Sequence, residues 1–252
     1  MSNHIVFQGG DFTLQSGEVL EQAYIAIETY GTLSADRGNV IGFFTPFASR
    51  HSDIEWMIGE GRALDPTRYF IVIPNMIGNG LSSSPTSDPW AGRRRFPGVT
   101  TLDNIELQRR ALSELFGIQR LKLVIGWSMG GQQAYHWAAL YPHQVERLAC
   151  ICGSAKTSQH NYVFLESIRA ALEADAAFEG GWFMSKPMRG LKAAALAYAS
   201  WALSQAFYRE EKYKELGFAS LEQFLMKNWY EPYLQRDANN MRAMLWLSLI
   251  HI

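Results

Sequence analysis

Gly126-Trp127-Ser128-Met129-Gly130 sets a serine in the pattern G-x-S-x-G. The chemistry this pattern serves is nucleophilic: a serine hydroxyl attacks an acyl carbon and carries the acyl group as an ester. In a chain with 21 glycines the bare pattern is weak. Its setting is stronger. It follows the strand-like run Leu121 to Ile125 and opens a helical pattern from Met129 to Leu140, the strand–turn–helix context of a nucleophile elbow. Glycine suits the flanking positions because a Cβ there would meet neighbouring backbone. Ser128 then stands at a helix N-terminus, where unpaired N–H groups and the helix dipole favour developing negative charge. The plain alternative is a Gly-Ser turn ahead of an ordinary helix.

An acyl transfer also needs an oxyanion hole. One donor is expected from the N–H of Met129, the residue after the nucleophile. The other is expected from the loop Thr45-Pro46-Phe47-Ala48, with Phe47 as the candidate; the alternative for Phe47 is simple core packing. A serine needs a general base and an orienting carboxylate, and in this fold the chain order is serine, acid, histidine. His4 and His51 precede Ser128. His136 and His143 lie along or beyond its helix, His160 follows no strand, and His251 is next to last. Asp175 and Asp237, the aspartates after Ser128, fall in helical contexts. The reading is that the triad Asp and His are absent from this chain.

The elements that must position Ser128 read as strands at Ala23 to Tyr30, Val40 to Thr45, Tyr69 to Ile73, Leu121 to Ile125 and Leu148 to Cys152. The last four are nearly continuous in hydrophobicity, as in a parallel sheet buried on both faces. A helix before Leu121 starts on the capping-box pair Thr100 and Asp103 and ends at Gly117. After Gly153 the character changes. Val163 to Ala174, Leu191 to Phe207, Leu221 to Asn228 and Tyr233 to Leu247 read as helices, with no strand except at the last few residues. The chain therefore divides into an α/β core over 1–155 and a helical lid over 156–252.

Composition narrows the function classes. The 252 residues carry 23 Lys+Arg against 24 Asp+Glu, a net charge of −1 that argues against a nucleic-acid partner. The apolar stretch Leu191 to Leu203 is too short to span a membrane. The N-terminus has no signal-peptide pattern, which gives cytoplasm as the default. Cys150 and Cys152 read as buried, reduced thiols on one strand face, and neither they nor other residues form a metal motif.

From Asn39 through Asn240 the sequence resembles the homoserine O-acetyltransferase branch of the α/β-hydrolase superfamily. The resemblance is carried by Arg62-Ala63-Leu64-Asp65, Gly78 to Pro85, Arg95-Phe96-Pro97, the elbow Gly126 to Gln133, Trp137-Ala138, Tyr141-Pro142 and Arg236-Asp237-Ala238-Asn239-Asn240. It implies a mainly parallel α/β-hydrolase sheet with an inserted helical lid. It implies an O-acyltransferase that takes an acyl group from acyl-CoA onto Ser128 and passes it to a small hydroxyl acceptor, with Phe47 and Met129 as oxyanion donors. Acyl-CoA is then a substrate and no cofactor is needed. The partners are small molecules, and the resemblance implies a homodimer through the lid. Trp127 departs from the family, where a small residue is usual. Gln235 stands where the family has the arginine that holds the acceptor's carboxylate, with Arg236 one position on, and Met241 replaces a tyrosine. These departures favour another acceptor, or a serine esterase that releases the acyl group to water. A non-catalytic binding module and a nucleotide-binding fold, the latter resting only on Gly78-Asn79-Gly80, are the remaining alternatives. The resemblance fades after about Trp246, and the ending Leu247 to Ile252 reads as a truncated end with the last strands missing, which predicts an inactive polypeptide.

Overall fold

The computed structural model describes residues 4–249. A six-stranded sheet forms its centre, in the order β1-β2-β4-β3-β5-β6. The strands are β1 (Ile5–Thr13), β2 (Val19–Tyr30), β3 (Val40–Phe44), β4 (Phe70–Pro74), β5 (Leu123–Trp127) and β6 (Leu148–Ile151). Pairings β3–β4, β3–β5 and β5–β6 are parallel, whereas β1–β2 and β2–β4 are antiparallel. Every residue of β3 and β4 is buried. That explains their unbroken apolar runs, since helices cover both faces of a parallel sheet.

All five runs read as strands in the sequence form strands; β1 is the strand of this sheet that was not foreseen. Its ladder with β2 is interrupted between Gln8 and Gly10 and again between Gly10 and Phe12. Such bulges break the period-two alternation that marks a strand.

Helix α1 (Thr101–Phe116) lies between β4 and β5, and α2 (Met129–Leu140) between β5 and β6. The capping box of α1 is formed: Asp103 donates its N–H to the Thr100 hydroxyl, and the Asp103 carboxylate accepts from the Thr100 N–H. Gly117 closes α1 in the left-handed region, at φ 64°. Trp137 of α2 stacks on Phe44 of β3 with centroids 6.0 Å apart, locking the nucleophile helix to the sheet.

Beyond β6 come α3 (Gln159–Glu173), the hairpin β7 (Phe178–Glu179) and β8 (Trp182–Phe183), and α4 (Met188–Ala202). They are followed by α5 (Gln205–Arg209), α6 (Leu221–Phe224), a π-helical segment at Leu225–Tyr230, α7 (Glu231–Leu234) and α8 (Ala238–Leu249). Three expectations change here. Leu191 to Phe207 is two helices, because Ser204 caps α5 by accepting from the Phe207 N–H at 3.1 Å. Tyr233 to Leu247 is likewise two, because Asp237 accepts from the Asn239 and Asn240 N–H groups and starts α8. The strand expected at the very end is the last turn of α8 as far as Leu249; Ile250, His251 and Ile252 lie outside the described residues. The hairpin overturns a further expectation, that no strand occurs here before the last few residues; its signal is Gly180-Gly181 between aromatic residues, both glycines having positive φ. Among the described residues, no helix is long and apolar enough to cross a membrane.

Candidate active site

Ser128 connects β5 to α2 with φ 54° and ψ −120°, a conformation costly for any residue with a Cβ. The surroundings hold it there. Its N–H donates to the Ile151 carbonyl at 2.8 Å, and its carbonyl accepts from Gly131 and Gln132. A Cβ on Gly126 would overlap the Gly130 carbonyl, and one on Gly130 would overlap the Phe44 carbonyl. The two glycines of the motif are thus required by close backbone approach.

Met129 is the first residue of α2, so its N–H has no acceptor in a preceding turn, and the residue lines a cavity at Ser128. Phe47 follows β3 and lines the same cavity as Ser128. A chain of buried amides positions its loop. The Trp137 indole N–H donates to Gln108 Oε1 at 3.2 Å, Gln108 Nε2 donates to Gln133 Oε1 at 2.8 Å, and Gln133 Nε2 donates to the Thr45 carbonyl at 3.2 Å. Helices α1 and α2 and the loop after β3 are therefore registered against each other by groups that cannot be left unpaired.

Ser128 opens into a cavity of about 580 Å³ between the sheet and the helical part. Its walls include Phe47, Trp127, Phe164, Tyr198, Trp201, Trp229 and Tyr233. A second cavity of about 250 Å³ adjoins it at Ser128, with Met129, Gln132 and Ser154 in its walls. Tyr198 is the hub of the aromatic wall. Its ring stacks on Phe47 at 6.1 Å and meets Phe164, Trp229 and Tyr233 at 5.2 to 6.2 Å. Burial pushes the pKa of its hydroxyl up, so it stands as a neutral phenol.

The structure does not bring a histidine to this point. Among the described residues none lines either cavity at Ser128. His51 is buried elsewhere, with Nε2 3.4 Å from Glu28 and Nδ1 3.1 Å from the Asn75 amide. His160 packs on Trp201 with ring centroids 4.4 Å apart, outside the cavity wall. Asp175 and Asp237 both hold backbone N–H groups at chain turns, and those bonds from Ala177 and Gly190 keep the Asp175 carboxyl below its usual range. His251 lies outside the described residues.

Of the two residues expected to face an acceptor, Arg236 lines the Ser128 cavity and Gln235 does not. Gln235 opens on a neighbouring cleft with Lys186 and Asp237. The position corresponding to the family's arginine therefore points away, and the residue one step on points in. The wall also contains Asp53, which sequence order alone did not single out. It sits in a short 3₁₀ turn, His51–Asp53, just after the Phe47 loop.

The two thiols correct the expectation of buried cysteines on one strand face. Strand β6 ends at Ile151, so the alternation stops before Cys152, whose φ is 50°. Cys152 is exposed and lines both cavities at Ser128, whereas Cys150 is half-buried and its thiol pKa is raised by burial. Limited iodoacetamide at pH 8 is therefore expected to modify Cys152 before Cys150, as read by peptide mass mapping; equal labelling would contradict this placement.

With this geometry in hand, known proteins can be compared. The α/β hydrolase fold family matches residues 42–215. The chain is 37% identical over 246 residues to an ethyl acetate hydrolase of Pseudomonas veronii, covering 94% of this chain and 69% of that protein. It is 37% identical over 195 residues to a homoserine O-acetyltransferase of Chlorobaculum parvum, covering 73% of this chain and 54% of the other. An acetylester hydrolase structure from Corynebacterium glutamicum superposes with a TM-score of 0.92 at 34% identity, over 97% of this chain and 72% of that one. The esterases match over more of the chain than the acyltransferase does. Strand order, elbow and sequence agree, and the chain belongs to the α/β hydrolase fold family.

Proposed function

We propose that this site performs ester hydrolysis through an acyl-enzyme on Ser128, with water as the acyl acceptor. The observation that carries the reading is the strained Ser128 at the N-terminus of α2, in the wall of an aromatic cavity that Phe47 also lines; the N–H groups of Phe47 and Met129 are the proposed oxyanion donors. The esterase relatives support water over a second alcohol as acceptor. In the first half-reaction the Ser128 oxygen bonds to the acyl carbon and the alcohol leaves; in the second, water attacks and the acid leaves. The two N–H groups receive the negative charge that develops on the carbonyl oxygen in both. The aromatic wall favours a small, apolar acyl group such as acetyl.

The Ser128 proton needs a base, and Tyr198 cannot serve, since its raised pKa keeps it a neutral phenol. Among the described residues no histidine lines the cavity to accept it. The test supplies one: ethyl acetate is incubated with the protein in imidazole buffer and acetate is measured. Acetate release that requires Ser128, and is lost in Ser128→Ala, supports the reading. Acetyl transfer to added homoserine in place of acetate release would restore the acyltransferase reading, and equal rates for both proteins would remove Ser128 from the chemistry.

A further inference from the structure

The charged end of the Ser128 cavity is already paired. Arg236 Nη2 lies 2.5 Å from Asp53 Oδ2, and both residues line the cavity wall. The same Asp53 oxygen accepts the Arg50 N–H at 2.7 Å, which fixes the carboxylate in place. Arg236 is only 18% exposed, so it has little freedom to turn to another partner. Arg50 is a second guanidinium close by, but it is not part of the cavity wall. Burial and the nearby charge of Arg236 lower its pKa, and its Nε is buried without a hydrogen bond.

We propose that Asp53 sets the substrate class of this site by holding Arg236 in an internal ion pair, so that the cavity takes esters of uncharged alcohols and rejects those whose alcohol carries a carboxylate. The inference rests on the hydrolase reading and names the leaving group it serves. The physical reason is competition. A substrate carboxylate recognises arginine through a charge-assisted, preferably bidentate pair. Here it would have to displace a tethered carboxylate, whose effective concentration is on the order of millimolar or higher. It would also leave Asp53 beside its own negative charge. An uncharged alcohol meets neither cost and uses the apolar wall.

The probes are ethyl acetate and acetoxyacetate, which share the acetyl group and differ by one carboxylate. Ligand-observed NMR titration gives the affinity of each for the protein, so no turnover is needed. The protein is expected to bind ethyl acetate more tightly than acetoxyacetate. Asp53→Asn keeps an acceptor for the Arg50 N–H and frees Arg236. Its affinity for acetoxyacetate relative to ethyl acetate is expected to rise at least tenfold, and the double variant D53N/R236Q is expected to lose that gain. Arg236→Gln alone is expected to leave the ratio of the two affinities unchanged, which tests the proposal even if Asp53→Asn does not fold. The proposal is overturned if the protein prefers acetoxyacetate, if folded Asp53→Asn keeps the original ratio, if Arg236→Gln selectively loses acetoxyacetate, or if neither probe binds. Failure of the hydrolase reading is a separate result, absence of Ser128-dependent acetate release with the affinity ratio intact.

Discussion

Without added base, the 252-residue polypeptide is expected to turn over ethyl acetate about 10⁶-fold more slowly than a hydrolase with a complete triad. The size of the loss follows from what surrounds Ser128. A serine hydroxyl attacks only as its proton leaves, and no described imidazole lines its cavity. The phenol in the cavity wall, Tyr198, is held neutral by burial. The proposed oxyanion donors and the aromatic wall do not depend on that base, so binding and a residual rate over water are expected to remain. Steady-state acetate release measured beside the Pseudomonas veronii relative checks this. A rate within a hundredfold of that enzyme would show that Ser128 has a base and overturn the expectation. A rise with imidazole that is absent in Ser128→Ala would confirm that the rest of the site is assembled.

Gly130→Ala is the second large effect. Its Cβ would fall on the carbonyl oxygen of Phe44 and close to that of Thr45. Neither atom is the end of a flexible side chain, so the helix or the sheet must shift. Overpacking usually costs about 1–3 kcal/mol, and backbone against backbone belongs at or above the top of that range. For a chain of this length, 3 kcal/mol corresponds to a drop in Tm of roughly 6–12 °C. Any shift that relieves the clash also moves the loop that carries Phe47. Gly130→Ala should therefore lose both thermal stability and imidazole-supported turnover. Ala139→Ser, exposed on the same helix, should lose neither. Unchanged melting of Gly130→Ala would disprove the close approach of α2 to β3.

The elbow was legible because its chemistry, glycine spacing and flanking periodicities all fall within Leu121 to Leu140. That Phe47 and Met129 line cavities at Ser128 was legible for the same reason, since each is placed by an element beside it. Asp53 was not. Its importance lies in facing Arg236 across 183 positions of sequence, and no local pattern records such a meeting. The same limit applied to Gln235 and Arg236, whose order along the chain does not say which one turns toward Ser128. Strand β1 was hidden by its bulges, and the breaks in the lid helices by capping side chains, Ser204 and Asp237, that overrode an apolar run.

The stacking of Tyr198 on Phe47 has a consequence for selectivity. One ring ties the helical wall to the loop after β3, at the cavity into which Ser128 opens. A substitution of Tyr198 therefore reaches the aromatic wall and the Phe47 loop together, and substrate preference and site geometry change in one step.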